Sequence, residues 1–138
     1  MSAVQKILLS PEEYLAGEAL AEFRHEYVAG EVYAMAGASE RHNRITLNIA
    51  FQLRAKARGS QCGVFMNDMK LRIQQGERFY YPDVMLGCSQ EDSHEFYKDK
   101  PCLIAEVLSP STETTDRREK WLAYAQIPSL HYYLLVET

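Results

Sequence analysis

The chain has 138 residues, of which 46% are hydrophobic and 25% are charged. This composition is that of a globular protein, and the length predicts a single domain over residues 1–138. No apolar run reaches membrane-spanning length, and residues 1–9 lack the pattern of a signal peptide. The net charge of −4 argues against strong non-specific binding to nucleic acid, although a bound metal ion and a local basic cluster can offset it.

The three cysteines are far apart in the sequence and form no CxxC motif. They are Cys62, Cys88 and Cys102. This pattern predicts reduced, buried thiols in a cytoplasmic protein and no zinc site.

The first third of the chain predicts a helix, a hairpin and a second helix. Ser10, Pro11 and Glu13 form the start signal of a short helix with a capping box. Residues 23–28 and 31–36 flank a turn and predict a β-hairpin. Ser39 begins a long helix that Gly59 ends. The apolar stripe of this helix comprises Ile45, Leu47, Ile49, Ala50, Phe51, Leu53 and Ala57.

The middle of the chain predicts two strands joined by a tight turn. Residues 64–73 alternate between apolar and polar side chains, residues 74–77 form the turn, and residues 78–87 return. Pro82 lies inside the second strand and marks an edge, a bulge or an irregularity there, because it has no N–H to donate. A polar surface loop follows over residues 89–100.

The last third predicts a strand, a helix and a strand. Residues 101–108 are almost continuously apolar, which is typical of a central strand. A helix starts near Asp116 and stops at Pro128, and residues 130–137 form the last strand.

Two carboxylates interrupt the apolar strands. Asp83 lies near the middle of the run 80–86, and Glu106 lies within the run 103–108. A buried carboxylate is costly unless a cation or a hydrogen-bond donor meets it. If the two strands are neighbours, Mg²⁺ between these side chains is a good candidate, since it binds oxygen ligands and needs only one or two carboxylates.

An ordered set of residues resembles a known family. The set runs from Tyr81-Pro82-Asp83-Val84 through residues 105–112 (AEVLSPST) to Asp116, Lys120 and Tyr124, and residues 26–32 and the helix containing His42 also fit. Pro82 and Asp83 followed by Glu106 resemble the PD-(D/E)XK nuclease superfamily. The longer set resembles the Uma-type family of restriction-endonuclease-like bacterial proteins, over nearly the whole chain.

This resemblance implies a fold, an activity and a site. The fold is α/β (α+β), with a restriction-endonuclease-like core whose mixed central sheet follows the order helix, strand, strand, strand, helix, strand, preceded by a helix and a hairpin. The activity is Mg²⁺- or Mn²⁺-dependent hydrolysis of DNA, with Asp83, Glu106 and the carbonyl of Val107 as metal ligands. We allow for a homodimer, because the sequence does not determine the oligomeric state.

The chain departs from the family pattern at two places. The superfamily's usual lysine lies two residues after the glutamate, where this chain has Leu108. We expect Lys120 to replace it, with Lys70 as the second choice. The sequence also ends at Thr138, whereas family members commonly continue, so we expect a truncated copy.

Further polar residues are accessory candidates, each with an ordinary structural alternative. They are Glu26, Glu31, His42 and Asp116. His42 has the alternative of a surface or capping histidine, and Asp116 that of a helix N-cap. Leu108 and the net charge of −4 also leave open a second function, a catalytically inactive nuclease fold used as a binding module.

Overall fold

The structure is a computed structural model that describes residues 7–109 and 114–138. The helices in these ranges are α1 (Pro11–Leu20), α2 (Glu40–Ala57) and α3 (Thr114–Tyr124). The strands are β1 (His25–Val28), β2 (Glu31–Ala34), β3 (Gly63–Met66), β4 (Lys70–Ile73), β5 (Arg78–Tyr80), β6 (Val84–Gly87), β7 (Tyr97–Lys98), β8 (Leu103–Leu108) and β9 (Tyr132–Glu137). No helix in the described ranges combines the length and apolar character needed to cross a bilayer.

The strands form two mixed sheets. The first has the order β2-β1-β5-β4-β7, and the second has the order β3-β6-β8-β9. The predicted mixed α/β (α+β) class is confirmed, with the strands divided over two sheets where the sequence predicted one central sheet.

The predicted starts of α1 and α2 and the predicted hairpin are confirmed. The Ser10 hydroxyl accepts from the Glu13 N–H, and the Glu13 carboxylate accepts from the Ser10 N–H. β1 and β2 pair antiparallel through the predicted turn. The prediction that Leu47 and Phe51 widen the buried stripe of α2 is wrong, because they are 56% and 66% exposed. The helix buries a narrower face that includes Thr46 and Ala50.

Each long strand predicted for the middle of the chain is broken in two. The ribbon 63–87 begins as β3 against β6 in one sheet and continues as β4 against β5 in the other. The break falls at Pro82, which cannot donate to a ladder, and at Asn67, whose φ is +47°. The Asn67 N–H donates to the Asp83 carbonyl at 3.2 Å, which joins the two halves of the break. Asp83 therefore lies where the chain passes between the sheets.

The central strand β8 pairs with β6 on one side and with β9 on the other. The β8–β9 pair is parallel, and α3 connects the two strands. Buried residues of α3, Ala123 and Tyr124, pack with Ile104 and Met85 in the main core. α3 begins at Thr114, so Asp116 lies in its first turn and not at the predicted N-cap position. The stretch 105–112 that resembles the family is described only as far as Ser109, because residues 110–113 lie outside the described ranges.

The prediction of three reduced cysteines is wrong for two of them. Cys62 and Cys88 form a disulfide, and Cys102 has a free thiol. Gly63 pairs with Gly87 in the β3–β6 register, so the cysteines just beyond that pair lie side by side, with Cα atoms 4.0 Å apart. The cytoplasmic location, which was inferred from reduced thiols, stays a prediction without that support.

Candidate active site

The two carboxylates predicted from the sequence are neighbours. Val84 of β6 pairs with Ala105 of β8, so Asp83 and Glu106 lie just beyond this pair. The Val107 N–H donates to Asp83 Oδ2 at 2.7 Å, and the Asp83 N–H lies 3.5 Å from Glu106 Oε2. Both side chains line one cavity of about 560 Å³. The antiparallel register therefore converts two positions 23 residues apart into one acidic site.

Glu106 is held in an environment that disfavours its charge. It is buried, which disfavours the charge, whereas Tyr124 of α3 donates a hydrogen bond to its Oε1 at 2.8 Å, which favours the ionised form. Burial raises the pKa of Glu106 to about 8; Lys120 opposes this rise and Asp83 adds to it. A cation placed beside the two carboxylates would favour the ionised form of Glu106.

Lys120 supplies a positive charge in the same cavity. Its Nζ lies 3.0 Å from Glu26 Oε2 and 3.5 Å from Asp116 Oδ2, and its side chain is only 16% exposed. Burial disfavours the ammonium, but the charges of Glu106, Glu26 and Asp116 outweigh this effect and raise the pKa of Lys120. Lys120 therefore remains protonated at neutral pH.

Glu26 forms the other side of this ion pair. It lies in β1, on the first sheet, whereas Lys120 lies on α3, the helix that connects β8 and β9 of the second sheet. Burial raises the pKa of Glu26, and Lys120 opposes the rise. This ion pair therefore connects β1 with α3 across the cavity.

His42 lies beside Asp83. Ser39 caps α2 by accepting from the His42 N–H at 3.1 Å, which fixes the first turn of the helix. The His42 Nε2 lies 3.3 Å from Asp83 Oδ2, and both side chains are largely buried. Asp83 Oδ2 thus meets two groups, the imidazole and the Val107 N–H.

Residues 11–138 match the sequence profile of the Uma2 family, which is described as "Putative restriction endonuclease". This chain belongs to the Uma2 family. Two Synechocystis relatives, the uncharacterized proteins slr1290 and sll1609, are 40% and 38% identical to it over 132 and 133 residues. Each alignment covers 94% of this chain. The alignments cover 69% of the length of slr1290 and 75% of the length of sll1609.

A solved structure shares the fold of this Uma2 protein. It is the crystal structure of a "putative nuclease belonging to DUF820" from Anabaena variabilis. The TM-score is 0.74 at 15% sequence identity, over 94% of this chain and 74% of the other. The predicted family and the restriction-endonuclease-like fold are therefore confirmed.

Most of the residues predicted for the site reach the cavity of the Uma2 protein. The lining includes Glu26, His42, Asp83, Glu106, Val107, Asp116 and Lys120. Glu31 is not part of the lining; it lies in the outer strand β2, where it accepts a hydrogen bond from Tyr33. Lys70 is also absent from the lining, and its Nζ lies 5.7 Å from the centre of the Tyr81 ring. Of the two lysines considered as replacements, Lys120 is the one that faces the carboxylates.

Other residues of the site were not predicted as functional. Tyr124, whose hydroxyl contacts Glu106, was named as part of the family resemblance but was given no role in the site. Its spacing of four residues from Lys120 carries the signal that could have found it, because side chains at i and i+4 share a helix face. Arg24, Tyr81, Arg117 and Tyr133 also line the cavity.

The oxygens of the two strand carboxylates fit a hard divalent cation. Asp83 accepts the Val107 N–H at Oδ2, and Glu106 accepts the Tyr124 hydroxyl at Oε1, so each carboxylate has a second oxygen that can face a cation. The described ranges contain no group of three or more His, Cys, Asp or Glu side chains that could hold a metal. Two carboxylates suit Mg²⁺, which usually keeps several waters. The carbonyl of Val107 stays a predicted ligand, since its observed role is to donate its N–H to Asp83.

Proposed function

We propose that this Uma2 protein is a Mg²⁺- or Mn²⁺-dependent nuclease that hydrolyses phosphodiester bonds of DNA. The observation that carries the proposal is the pairing of Asp83 with Glu106 in one cavity beside a protonated Lys120. The two carboxylates provide oxygen atoms for the cation, and the cavity provides space for a phosphate.

Each residue of the site has a distinct task in this proposal. Asp83 and Glu106 would hold the divalent ion, which when bound would supply Lewis-acid stabilisation of the phosphate and a nucleophile at neutral pH. Tyr124 positions Glu106 through its hydrogen bond to Oε1, and Val107 positions Asp83 through its N–H. These contacts hold the carboxylates in place before a substrate arrives, which is the condition for electrostatic catalysis.

Lys120 orients water or phosphate oxygen by donating hydrogen bonds. Its raised pKa makes it a poor proton acceptor at neutral pH, so this role is favoured over deprotonation of water. The charge of the ammonium also offsets the acidic residues around it and reduces their repulsion of a phosphate.

The activity can be tested on a fluorescent DNA duplex with Mg²⁺ or Mn²⁺ supplied in turn. We expect cleavage by the native protein and none by Glu106→Gln, which keeps the shape and the Tyr124 contact but removes the charge. The exposed Glu119 on α3 provides a matched control, and Glu119→Gln should cleave normally. Equal cleavage by native protein and Glu106→Gln would exclude this mechanism.

A second candidate function is a nuclease fold that binds DNA without turnover. It is favoured by Leu108, which is 8% exposed at the position where the superfamily has its lysine. Metal binding and DNA binding without any hydrolysis, in both Mg²⁺ and Mn²⁺, would support this function over catalysis.

A further inference from the structure

Two arginines of the cavity are left without a strong carboxylate partner. They are Arg24, in the segment before β1, and Arg117, in the first turn of α3. By contrast, the third cation of the cavity, Lys120, is engaged by Glu26 and Asp116. The arginines are therefore the cations of the described lining that are open to an incoming anion.

Arg117 has no ion pair with any described residue. It is half-buried, and its Nε is a buried donor without a hydrogen-bond partner among the groups described. A buried polar group without a hydrogen-bond partner costs free energy, whereas the charged group of an exposed lysine or arginine is hydrogen-bonded by water. An anion in the cavity would satisfy it.

Arg24 is held in place but is only weakly neutralised. One of its terminal nitrogens donates to the Asn67 carbonyl at 2.6 Å, and its guanidinium lies 5.5 Å from the centre of the Tyr81 ring. Its ion pair with Asp68 is long, at 3.8 Å, and the Asp68 side chain is 89% exposed. A pair of this kind contributes little and leaves most of the charge available.

Because the cavity lining is acidic, binding of a polyanion there requires these two arginines. The lining carries four carboxylates, those of Glu26, Asp83, Glu106 and Asp116. A divalent ion would offset Asp83 and Glu106, and Lys120 offsets part of the rest. A phosphate at the metal would still have neighbours along the nucleic-acid strand, and guanidinium groups bind phosphate oxygens by paired hydrogen bonds.

We propose that Arg24 and Arg117 bind the backbone phosphates that flank the scissile bond of a DNA duplex. The identity of the substrate rests on the proposed nuclease function. The binding role itself rests on the position and the weak pairing of the two side chains.

The test separates binding from hydrolysis by using Ca²⁺ in place of Mg²⁺ with a fluorescent duplex. Binding is measured by anisotropy over a range of salt concentrations, for native protein, Arg117→Gln and Arg118→Gln. Arg118 is the matched control, since it is the next residue of the same helix, is exposed and lies outside the cavity lining.

We expect Arg117→Gln to weaken binding about tenfold and to lower the slope of log K against log salt by about 0.9, the value of one phosphate contact. Arg118→Gln should differ from native protein by less than about twofold in affinity, since it loses only a distant, screened charge. Equal affinities and slopes for the two variants would overturn the proposal.

Arg24 requires a second pair of variants, because it also contacts the Asn67 carbonyl. Arg24→Met removes the charge, and Arg24→Lys retains it. We expect a loss of affinity in Arg24→Met that is partly restored in Arg24→Lys, while the two have similar melting temperatures. Equal binding by Arg24→Met and native protein would remove Arg24 from the phosphate site.

The outcomes distinguish this proposal from the proposed function. Cleavage by native protein together with unchanged binding by Arg117→Gln would keep the nuclease and reject the phosphate site. Binding that depends on Arg117 without cleavage in Mg²⁺ or Mn²⁺ would keep the phosphate site and reject the nuclease. Absence of duplex binding by native protein would reject the phosphate site.

Discussion

Glu106 makes the stability of the metal-free protein depend on pH. Its pKa is raised from an ordinary 4.5 to about 8, so between these values the folded protein holds a proton that the unfolded chain has released. The free energy of unfolding must therefore fall as pH rises through this window, and the contribution is fully present only below the lower pKa.

We therefore expect the free energy of unfolding of native protein to depend on pH in a way that the free energy of unfolding of Glu106→Gln does not. In the presence of EDTA, the free energy of unfolding of native protein should fall by more than about 1.4 kcal/mol relative to that of the variant between acidic pH and about pH 8. This lower bound is the free energy that corresponds to one pKa unit. Urea unfolding at a series of pH values measures the difference. Glu119→Gln should show the native profile, and parallel profiles for all three proteins would contradict the role of Glu106.

At Lys120, stability and catalysis can be separated. Lys120→Met leaves Glu26 buried without its ion-pair partner, so we expect a loss of about 1–3 kcal/mol in the free energy of unfolding. Turnover should fall by about 10²–10³, the usual effect of removing one group that stabilises the transition state. Urea unfolding and initial rates of duplex cleavage measure the two effects.

The double variant Glu26→Gln with Lys120→Met is the control for that experiment. It removes the unpaired carboxylate, so most of the lost stability should return while turnover stays low. Recovery of full turnover in the double variant would mean that Lys120 acts only through the ion pair.

Among the elements, the broken ribbon 63–87 has the largest effect on the site. An unbroken hairpin would keep residues 81–83 in a regular ladder, and Asp83 would lie inside one sheet. Because Pro82 interrupts the strand, β5 and β6 join different sheets and Asp83 lies between them. The position of the site therefore follows from a local defect in strand pairing.

The disulfide supports the other end of the β3–β6 pair. It closes a loop with a sequence separation of 26, for which the loss of chain entropy predicts about 2–4 kcal/mol of stabilisation. Cys62→Ser should lower the free energy of unfolding by this amount under non-reducing conditions. Cys102→Ser is the control and should have a smaller effect, and a reducing agent should bring native protein to the level of Cys62→Ser.

For the whole molecule, a bound divalent ion should stabilise the fold by mass action. An ion that binds only the native state contributes about 2.7 kcal/mol at a concentration one hundred times its Kd. We expect Mg²⁺ or Mn²⁺ to raise the melting temperature of native protein, with a larger increase above the raised pKa of Glu106, where no proton competes.

Asp83→Asn should largely abolish this increase, because it removes a ligand charge while keeping an acceptor for the Val107 N–H. Asp68→Asn is the matched control, since Asp68 is 89% exposed, and it should respond to metal as native protein does. A normal metal response in Asp83→Asn would place the ion elsewhere.

The amino-acid sequence by itself determined the local features of this protein. The capping box at Ser10, the cap of α2 at Ser39 and the stop at Gly59 depend on contacts within a few residues, so the pattern sufficed. The pairing of Asp83 with Glu106 was also predicted, because isolated carboxylates in apolar strands need a partner and the resemblance ordered them. Lys120 was predicted as the first choice and Lys70 as the second, because the resemblance implies a lysine and Leu108 occupies its usual position.

Only the tertiary structure decided which distant groups meet. The break of each long strand into two sheets depends on Pro82 in one strand and on Asn67 in the other, whose N–H meets the Asp83 carbonyl across the ribbon. The alternation of residues 64–73 is the same with or without the break. The disulfide depends on the register that pairs Gly63 with Gly87. The contact of Tyr124 with Glu106 depends on how α3 packs against β8. Register and helix packing are set by the summed burial of many side chains, so no short stretch of sequence determines them.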